Sequence, residues 1–371
     1  MVSIMKMYKT SEKMKYEPEQ VWFPLSEDIL SWDDDLHELM LNDEIRMVAY
    51  EKAIKEAVKP GMTVVDVGTG TGILALWALE AGASQVYGID VNAARIPQAV
   101  RRISDAGFSG RFIPINDLSY KVELPERVDV CISEILGNLA DNEDMIPILA
   151  DARKRFLKDE GLMLPRKVMT YLTPVSSVQA HEQVKKRECR GINGSYNLDD
   201  LLARLNTKNP FNLYYDCILP ESTYVGEPQA VAAFNFDGKD QAEYRVNVNY
   251  TVVRAGMLTG FKGDFLAELS DSVVLDISGG DITGRTTSDC WKHCYLPIEK
   301  PIEVQKGDVI ELEFSRFYPK EKSTFRQCYA WEGRVSREGS LVQEFGQYMG
   351  SVVSSLTTKI KEEEKTPLFG K

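Results

Sequence analysis

The sequence predicts an α/β unit built on a parallel sheet, followed by an antiparallel β-rich unit. Three observations carry this. Between residues 62 and 170 short apolar runs alternate with helical patterns, as strands joined by crossover helices do. Beyond about residue 220 apolar and polar residues alternate with period two, in Tyr244, Val246, Val248, Tyr250 and Val252 and again in Ile310, Leu312 and Phe314. The 371 residues suit two domains at roughly 100–200 residues each.

Residues 1–44 read as a polar N-terminal segment ending in a helical lid. A helical pattern starts at Leu36, with Ile45, Val48, Ala49, Ala53 and Ala57 on one face, and Pro60-Gly61 stops it. Residues 45–172 form the α/β unit. Met62–Val67 is its first strand, and Ile73–Ala81 a helix with Gly82 just past its end. Gln85–Ile89 is a strand ending at Asp90, and Ala93–Ala106 a helix with Pro97 near its start. Arg111–Ile115 and Val128–Ile132 are strands, Met145–Leu157 is a helix, and Lys158-Asp159-Glu160-Gly161 turns the chain. Residues 173–340 form the β-rich unit, a sandwich or barrel with turns at Gly279-Gly280 and Lys306-Gly307-Asp308. Its polar stretch 181–216 is helical in part. Residues 341–371 are a C-terminal tail whose charge run, Lys359–Lys365, is expected to be solvated.

Composition narrows the function classes. With 56 acidic and 44 basic residues the net charge is −12. Affinity for nucleic acid comes from surplus Lys and Arg, so no nucleic-acid partner is expected, whereas a cationic substrate fits the sign. Only His37, His181 and His293 are available, and the six cysteines form no C-x-x-C pair. Cys290, His293 and Cys294 lie close together without a fourth ligand, so no metal is expected. Scattered cysteines point to reduced thiols in the cytoplasm. No signal-type start and no apolar run near the ~20 residues of a membrane span is found, so no membrane is expected.

The segment Val64-Val65-Asp66-Val67-Gly68-Thr69-Gly70-Thr71-Gly72 runs from a buried strand through three glycines into a helix. Glycines let the backbone approach a ligand at the carboxyl edge of a sheet. Asp90 ends the next strand 22 residues after Gly68, where an acid accepts the hydroxyl hydrogens of an adenosine ribose. Dinucleotide sites prefer G-x-G-x-x-G with a pyrophosphate on the helix N-terminus. The G-x-G-x-G here, preceded by Asp66, suits S-adenosyl-L-methionine, which has no phosphates and whose amino group Asp66 can face.

A second segment, Ser133 to Glu143, follows the strand Val128–Ile132. Glu134 therefore stands at the same carboxyl edge. Gly137, Asn138, Asp141 and Asn142 favour a looped backbone that brings Glu143 back toward it. Two carboxylates balance two cations, a sulfonium and a guanidinium, and match the planar fork of the latter. Holding one guanidinium nitrogen near a methyl carbon supplies alignment worth up to ~7–11 kcal/mol. On spacing alone the two glutamates equally suit helix N-termini or a solvated loop.

Together these segments resemble the protein arginine N-methyltransferases over roughly residues 30–335. Asp66–Gly72 resembles the family's cofactor motif and Ser133–Glu143 its double-glutamate loop. His37–Arg46 resembles its cofactor-covering helix, and Leu157–Pro165 with the β-rich half its remaining core. The resemblance implies a class I Rossmann-like methyltransferase domain followed by an antiparallel β-barrel domain, with a helical dimerisation arm at about 195–216 and a homodimer. It implies that Arg46 pairs with the cofactor carboxylate, that Asp66, Gly68 and Gly70 hold its methionine part, and that Asp90 takes the ribose. Asp117 and Leu118 lie near the adenine, and Glu134 and Glu143 clamp the guanidinium. Met40 and Met145 shape the space around the methyl group or fill the core. His37 touches the cofactor or packs on its helix, and Trp291 binds substrate or is a buried strand aromatic.

The sequence departs from the family at several points. Glu27-Asp28-Ile29-Leu30-Ser31 stands in place of an aromatic Tyr-Phe-x-x-Tyr motif, and Ile135 follows Glu134 where many members carry Trp. Asp289-Cys290-Trp291 replaces Thr-His-Trp, so the histidine that pairs with the upstream acid, here Asp43, is absent; His293 lies three residues on. Gly137–Glu143 is closer to the symmetric-dimethylating branch and Met40 to the asymmetric one. The expected function is S-adenosylmethionine-dependent methylation of arginine in a protein or peptide. The alternatives are an enzyme acting on free L-arginine or a natural-product guanidine, a non-catalytic cofactor-binding module and, last, a nicotinamide oxidoreductase.

Overall fold

The computed structural model describes residues 17–24, 34–191, 194–199, 202, 207–280, 286–318 and 327–349. In chain order the first strands are β1 (Val21–Trp22), β2 (Thr63–Val67), β3 (Gln85–Asp90), β4 (Phe112–Asn116), β5 (Val128–Ser133), β6 (Leu157–Leu164), β7 (Lys167–Val175), β8 (Glu188–Gly191) and β9 (Gly194–Asn197). They are followed by β10 (Tyr215–Cys217), β11 (Gln229–Phe234), β12 (Tyr244–Thr251), β13 (Gly256–Glu268), β14 (Val274–Asp276), β15 (His293–Val304), β16 (Val309–Phe317), β17 (Cys328–Arg337) and β18 (Ser340–Tyr348). The helices are α1 (Asp34–Asn42), α2 (Glu44–Ala57), α3 (Ile73–Glu80), α4 (Ile96–Asp105), α5 (Met145–Phe156) and α6 (Val178–Lys185).

The α/β unit is a five-stranded sheet in the order β4-β3-β2-β5-β6, every neighbour parallel. Parallel strands need long crossovers, which α3, α4 and α5 supply. Residues Ile73–Leu79 of α3 are all buried, which explains an apolar run without an outward face.

The helix α2 buries a different face from the one its aliphatic residues suggest. Arg46, Tyr50, Ala53, Ile54 and Ala57 face inward while Val48 is exposed. Arg46 and Tyr50 carry polar tips that find partners at the carboxyl edge of the sheet, so their stems pack inward at no polar cost. The expected turn at Lys158–Gly161 is a bulge inside β6. Register passes from Val128–Leu157 to Val130–Leu162, which absorbs the extra residues.

Two expected boundaries shift. The chain leaves the parallel sheet after Leu164 rather than at residue 172, because β7 pairs antiparallel with β11 and β13. The N-terminal segment is more than a helical lid. β1 runs antiparallel to β10 and parallel to β8, so residues 17–24 belong to the β-rich unit, while Glu27–Ser31 lies outside the described residues.

The β-rich unit consists of two sheets. One has the order β11-β7-β13-β15-β10-β1-β8-β9 with β14 on β13, and the other is β12-β16-β17-β18. Phe261 of the first meets Tyr250 and Phe345 of the second at ring separations of 6.1 and 5.7 Å, and Trp331 Nε1 donates to Pro297 O at 2.8 Å. Edge strands β11 and β12 keep one ladder each, so no hydrogen-bonded barrel closes among the described residues. In the stretch expected to be a helical arm, 195–216, the described residues include β9, helical Leu198, Asp199 and Leu202, and a 3-10 turn at Pro210–Asn212; residues 200–201 and 203–206 lie outside them. The expected tail begins later than residue 341, because Ser340–Tyr348 pairs with β17 and buries Phe345. The charge run 359–365 lies outside the described residues. No described helix is long and apolar enough to cross a membrane.

Candidate active site

Parallel register sets two loops side by side. Val67 of β2 lies opposite Ser133 of β5, and Ser133 Oγ donates to Val67 O at 2.7 Å. The chain passes from β2 outward to β3 and β4 on one side, then returns to β5 and β6 on the other. The carboxyl edge between β2 and β5 is thus the point where strand order reverses, and ligand crevices open there.

In the first loop Gly68, Gly70 and Gly72 have φ of +80°, +52° and +77°, left-handed values that glycine takes without strain. Gly70 N donates to Asp90 Oδ2 at 2.7 Å, while Asn92 N donates to Asp90 Oδ1 at 2.7 Å. This ties the end of β3 to the loop and leaves Asp90 lone pairs for further donors. Asp117 and Leu118 are exposed just past β4, where Asn116 Nδ2 donates to Asp90 O at 2.9 Å. A Cβ at Gly70 would stand 3.9 Å from His37 Nε2, and one at Gly68 would stand 3.1 Å from Ile135 Cγ2. Helix α1 and the residue after Glu134 therefore cover the glycines from two sides.

Asp66 is fully buried, and burial pushes its carboxyl up to about 7 against the Thr69 Oγ1 bond of 2.7 Å to Oδ2. Its Oδ1 has no hydrogen-bond partner among the described residues. A buried carboxylate oxygen without a donor is costly, and a cationic amino group is a donor that fits it.

The second loop folds back on itself as the glycine and asparagine content suggests. Gly137 and Ala140 form an antiparallel bridge, with N···O distances of 3.1 and 2.8 Å, and Ala140 takes φ +64°. Glu143 is buried in the 3-10 turn Asp141–Glu143, and Met145 is buried at the start of α5. Glu134 Oε2 accepts from Arg46 Nε at 2.6 Å and from Arg46 Nη2, while Oε1 accepts from Leu136 N at 3.2 Å. Arg46 Nη1 reaches Met40 O at 3.3 Å. Burial alone pulls the Arg46 guanidinium toward neutrality, but the adjacent Glu134 carboxylate more than offsets it.

The sequence model of the PRMT5 oligomerisation domain matches residues 167–335, and that of ribosomal protein L11 methyltransferase (PrmA) matches residues 49–169. The chain is 29% identical to protein arginine N-methyltransferase 1 of Dictyostelium discoideum, across 74% of this chain and 79% of the relative. It is 25% identical to protein arginine N-methyltransferase PRMT10 of Oryza sativa subsp. japonica, across 86% and 88%. The fold is similar to the crystal structure of Arabidopsis thaliana protein arginine methyltransferase 10, with TM-score 0.71 and 22% identity over 85% of this chain and 97% of that one. It is also similar to the Trypanosoma brucei PRMT1 enzyme-prozyme heterotetrameric complex with AdoHcy, with TM-score 0.70 and 19% identity over 84% and 96%.

The chain is similar to protein arginine N-methyltransferases along most of its length. Where the resemblance expects a histidine, other groups meet Asp43. Asp43 caps α2 by accepting Arg46 N at 3.0 Å on Oδ1. Its Oδ2 accepts Cys290 N at 3.0 Å and the Ser288 hydroxyl. His293 does not stand in for the histidine. It is buried in β15, where Nδ1 accepts Leu219 N at 2.9 Å and Nε2 faces Gly279 O at 3.0 Å, and burial holds it neutral. Among the described residues no cluster of His, Cys, Asp and Glu is arranged to hold a metal.

Trp291 is buried on Phe265, edge to face at 5.1 Å, and its indole N–H donates to Leu136 O. Of the two readings the packing one describes these contacts, because the polar edge of the ring is spent on the double-glutamate loop. Reading the sequence alone missed three groups. The first is Ser288 as the partner of Asp43: the resemblance marks Asp43 as an acid that pairs with a histidine, but nothing local marks Ser288. The second is Arg316, whose Nη2 holds Asp141 O at 3.2 Å and Asp144 Oδ1 at 3.0 Å; Tyr329 and Tyr244 hydroxyls donate to Asp141 at 2.6 and 2.8 Å. The third is Asn138 with Asn142, linked at 2.9 Å and anchored on Asp216 at 2.8 Å.

Proposed function

We propose that this protein transfers a methyl group from S-adenosyl-L-methionine to a guanidinium nitrogen of arginine in a protein or peptide. The carrying observation is the adjacency of the glycine loop after β2 and the double-glutamate loop after β5, joined through Arg46 and Glu134. When bound, the cofactor supplies an electrophilic methyl group on a sulfonium. Asp66 accepts its amino group on the buried Oδ1, Asp90 accepts its ribose hydroxyls, and Asp117 and Leu118 border its adenine. Arg46 shares its guanidinium between Glu134 and the cofactor carboxylate. Gly68 and Gly70 admit the ligand against bare backbone, and His37, Met40 and Met145 close over it.

Glu134 and Glu143 hold the substrate guanidinium in plane, which aligns one nitrogen and draws positive charge toward the others. With both carboxylates engaged in a dry site, the substrate cation is stabilised where a neutral wall would repel it. The names of the relatives favour arginine in a protein over free arginine. The family match over 167–335 favours a homo-oligomer, which we read as a homodimer. Six cysteines without a disulfide favour the cytoplasm.

Mass spectrometry of reactions with labelled cofactor, offered free arginine and mixed arginine-containing peptides, tests the assignment. Label is expected on peptide arginines, and fragmentation assigns the nitrogen. Glu134→Gln and Glu143→Gln are each expected to lower turnover at least a hundredfold. Turnover near the parent level in both variants would remove the clamp assignment.

A further inference from the structure

We propose that Ser288 is a positioning residue for methyl transfer, because its hydroxyl closes a ring of hydrogen bonds that sets Glu134. The proposal rests on the function given above. The ring has six links. Asp43 Oδ1 accepts Arg46 N at 3.0 Å, and Arg46 Nε donates to Glu134 Oε2 at 2.6 Å. Glu134 Oε1 accepts Leu136 N at 3.2 Å, and Leu136 O accepts Trp291 Nε1. Trp291 N donates to Ser288 Oγ at 3.1 Å, and Ser288 Oγ donates to Asp43 Oδ2.

Each member uses groups that it possesses. The serine hydroxyl donates to Asp43 and accepts from Trp291 N, with Cys290 Sγ also 3.6 Å from its oxygen, and Asp43 accepts on both oxygens. Ser288 is fully buried and Asp43 is 1% exposed, so water does not compete for these positions. The ring joins three separate parts of the chain: the start of α2, the loop after β5 and the loop before β15. Glu134 is therefore held from both ends. Arg46 fixes one oxygen, and the Trp291–Leu136 link fixes the backbone that orients the other.

Serine is the member that the ring cannot replace locally. The Cys290 side chain stands where the resemblance places a histidine, yet it offers Asp43 no charge; burial and the Asp43 carboxylate hold its thiol protonated. Toward Asp43 it is the Cys290 backbone N–H that donates, while its Sγ lies 3.6 Å from Ser288 Oγ. Without the Ser288 hydroxyl, Trp291 N loses its acceptor and the loop loses its side-chain tie to Asp43. A shift of about 1 Å at a positioned group costs on the order of a hundredfold in rate.

The test compares the full-length parent with Ser288→Ala, Ser288→Thr and Trp291→Phe. Three quantities are read: methyl transfer to an arginine peptide, S-adenosylhomocysteine binding by calorimetry, and the rate of thiol modification by Ellman's reagent. Cys290 is only partly buried while the other five cysteines are buried, so a rise in the thiol rate reports on loosening of the loop that Ser288 holds. Ser288→Ala is expected to lower kcat at least tenfold, keep the S-adenosylhomocysteine Kd within threefold and raise the thiol rate at least fivefold. Ser288→Thr is expected to return kcat to within twofold. Trp291→Phe cuts the ring elsewhere, so combining it with Ser288→Ala is expected to cost much less than the product of the two single losses. Ser288→Ala with kcat within twofold of the parent and an unchanged thiol rate overturns the proposal, as does full multiplicativity of the two losses. Should Ser288→Ala not fold, Trp291→Phe with parental kcat overturns it alone. A parent protein without arginine methylation refutes the proposed function, while the thiol rates still decide whether the ring holds the loop.

Discussion

Arg46 and Glu134 form a buried ion pair across 88 residues of sequence, with Nε and Nη2 both on Oε2. This joins the residue expected to hold the cofactor carboxylate to one expected to clamp the substrate. Removing one partner of a buried pair strands the other charge. Glu134→Ala is expected to lower stability by about 3–5 kcal/mol, while Arg46→Met with Glu134→Leu recovers most of the loss. Urea denaturation of the parent, both single variants and the double variant measures this. A double variant no more stable than the worse single one would show that the pair is not what ties α2 to β5.

Asp66 sets a pH dependence. Its folded pKa of about 7 lies above the ordinary 3.8, so between these values the folded chain keeps a proton that the unfolded chain releases. Its contribution to stability is therefore greatest below about pH 4, falls as pH rises toward 7, and is level beyond. Binding a cationic amino group needs the carboxylate, so S-adenosylhomocysteine affinity is expected to weaken as pH falls from 8 to 6, approaching tenfold per pH unit below 7. Asp66→Asn is expected to bind weakly at every pH, without that slope. Calorimetry in buffers of different ionisation enthalpy would also register the proton released on binding.

Arg316 braces the segment that carries Glu143. Its guanidinium lies 3.5 Å from the carboxylate of the buried Asp141, and burial pushes that carboxyl up while Arg316 opposes the rise. Arg316→Ala is expected to cost about 3–5 kcal/mol, and Arg316→Lys less, because lysine keeps the charge but not the fork. Turnover should fall in the same order. Equal denaturation midpoints for the parent and Arg316→Ala would contradict this bracing.

Gly72 and Gly107 separate packing from backbone conformation. Both are left-handed, with φ of +77° and +87°, but a Cβ at Gly72 would lie 2.8 Å from Ala99 Cβ while one at Gly107 meets nothing within 4 Å. Gly107→Ala is expected to cost about 1–2 kcal/mol from conformation alone. Gly72→Ala adds an overpacking cost of about 1–3 kcal/mol where α3 approaches α4. Thermal unfolding of the two variants tests the difference, and equal shifts in Tm would mean that α4 yields freely.

Much of the α/β unit was legible from local pattern. The run Val64–Val67, the three glycines and Asp90 lie within one strand–turn–helix–strand stretch, where period and turn chemistry act over a few residues. Glu134 was legible for the same reason, since a residue just after a strand of a parallel sheet stands at its carboxyl edge. The inward face of α2 was not, because Arg46 and Tyr50 are buried only by virtue of partners 88 and 83 residues away. The wide bulge in β6 was read as a turn because its charged residues bear no trace of the ladder on either side. β1 was missed because two residues have no periodicity of their own.

The order of elements, the chemistry of the two loops and their shared edge are written in the sequence. These follow from backbone preferences and apolar spacing, which act locally. Packing of the whole chain sets the rest: Asp43 meets Ser288 across 245 residues, Cys290 offers Asp43 its backbone N–H, and Trp291 points its indole N–H into the glutamate loop. Such pairings depend on which buried donors are left facing which acceptors once the sheets have packed. Local pattern holds no record of that outcome.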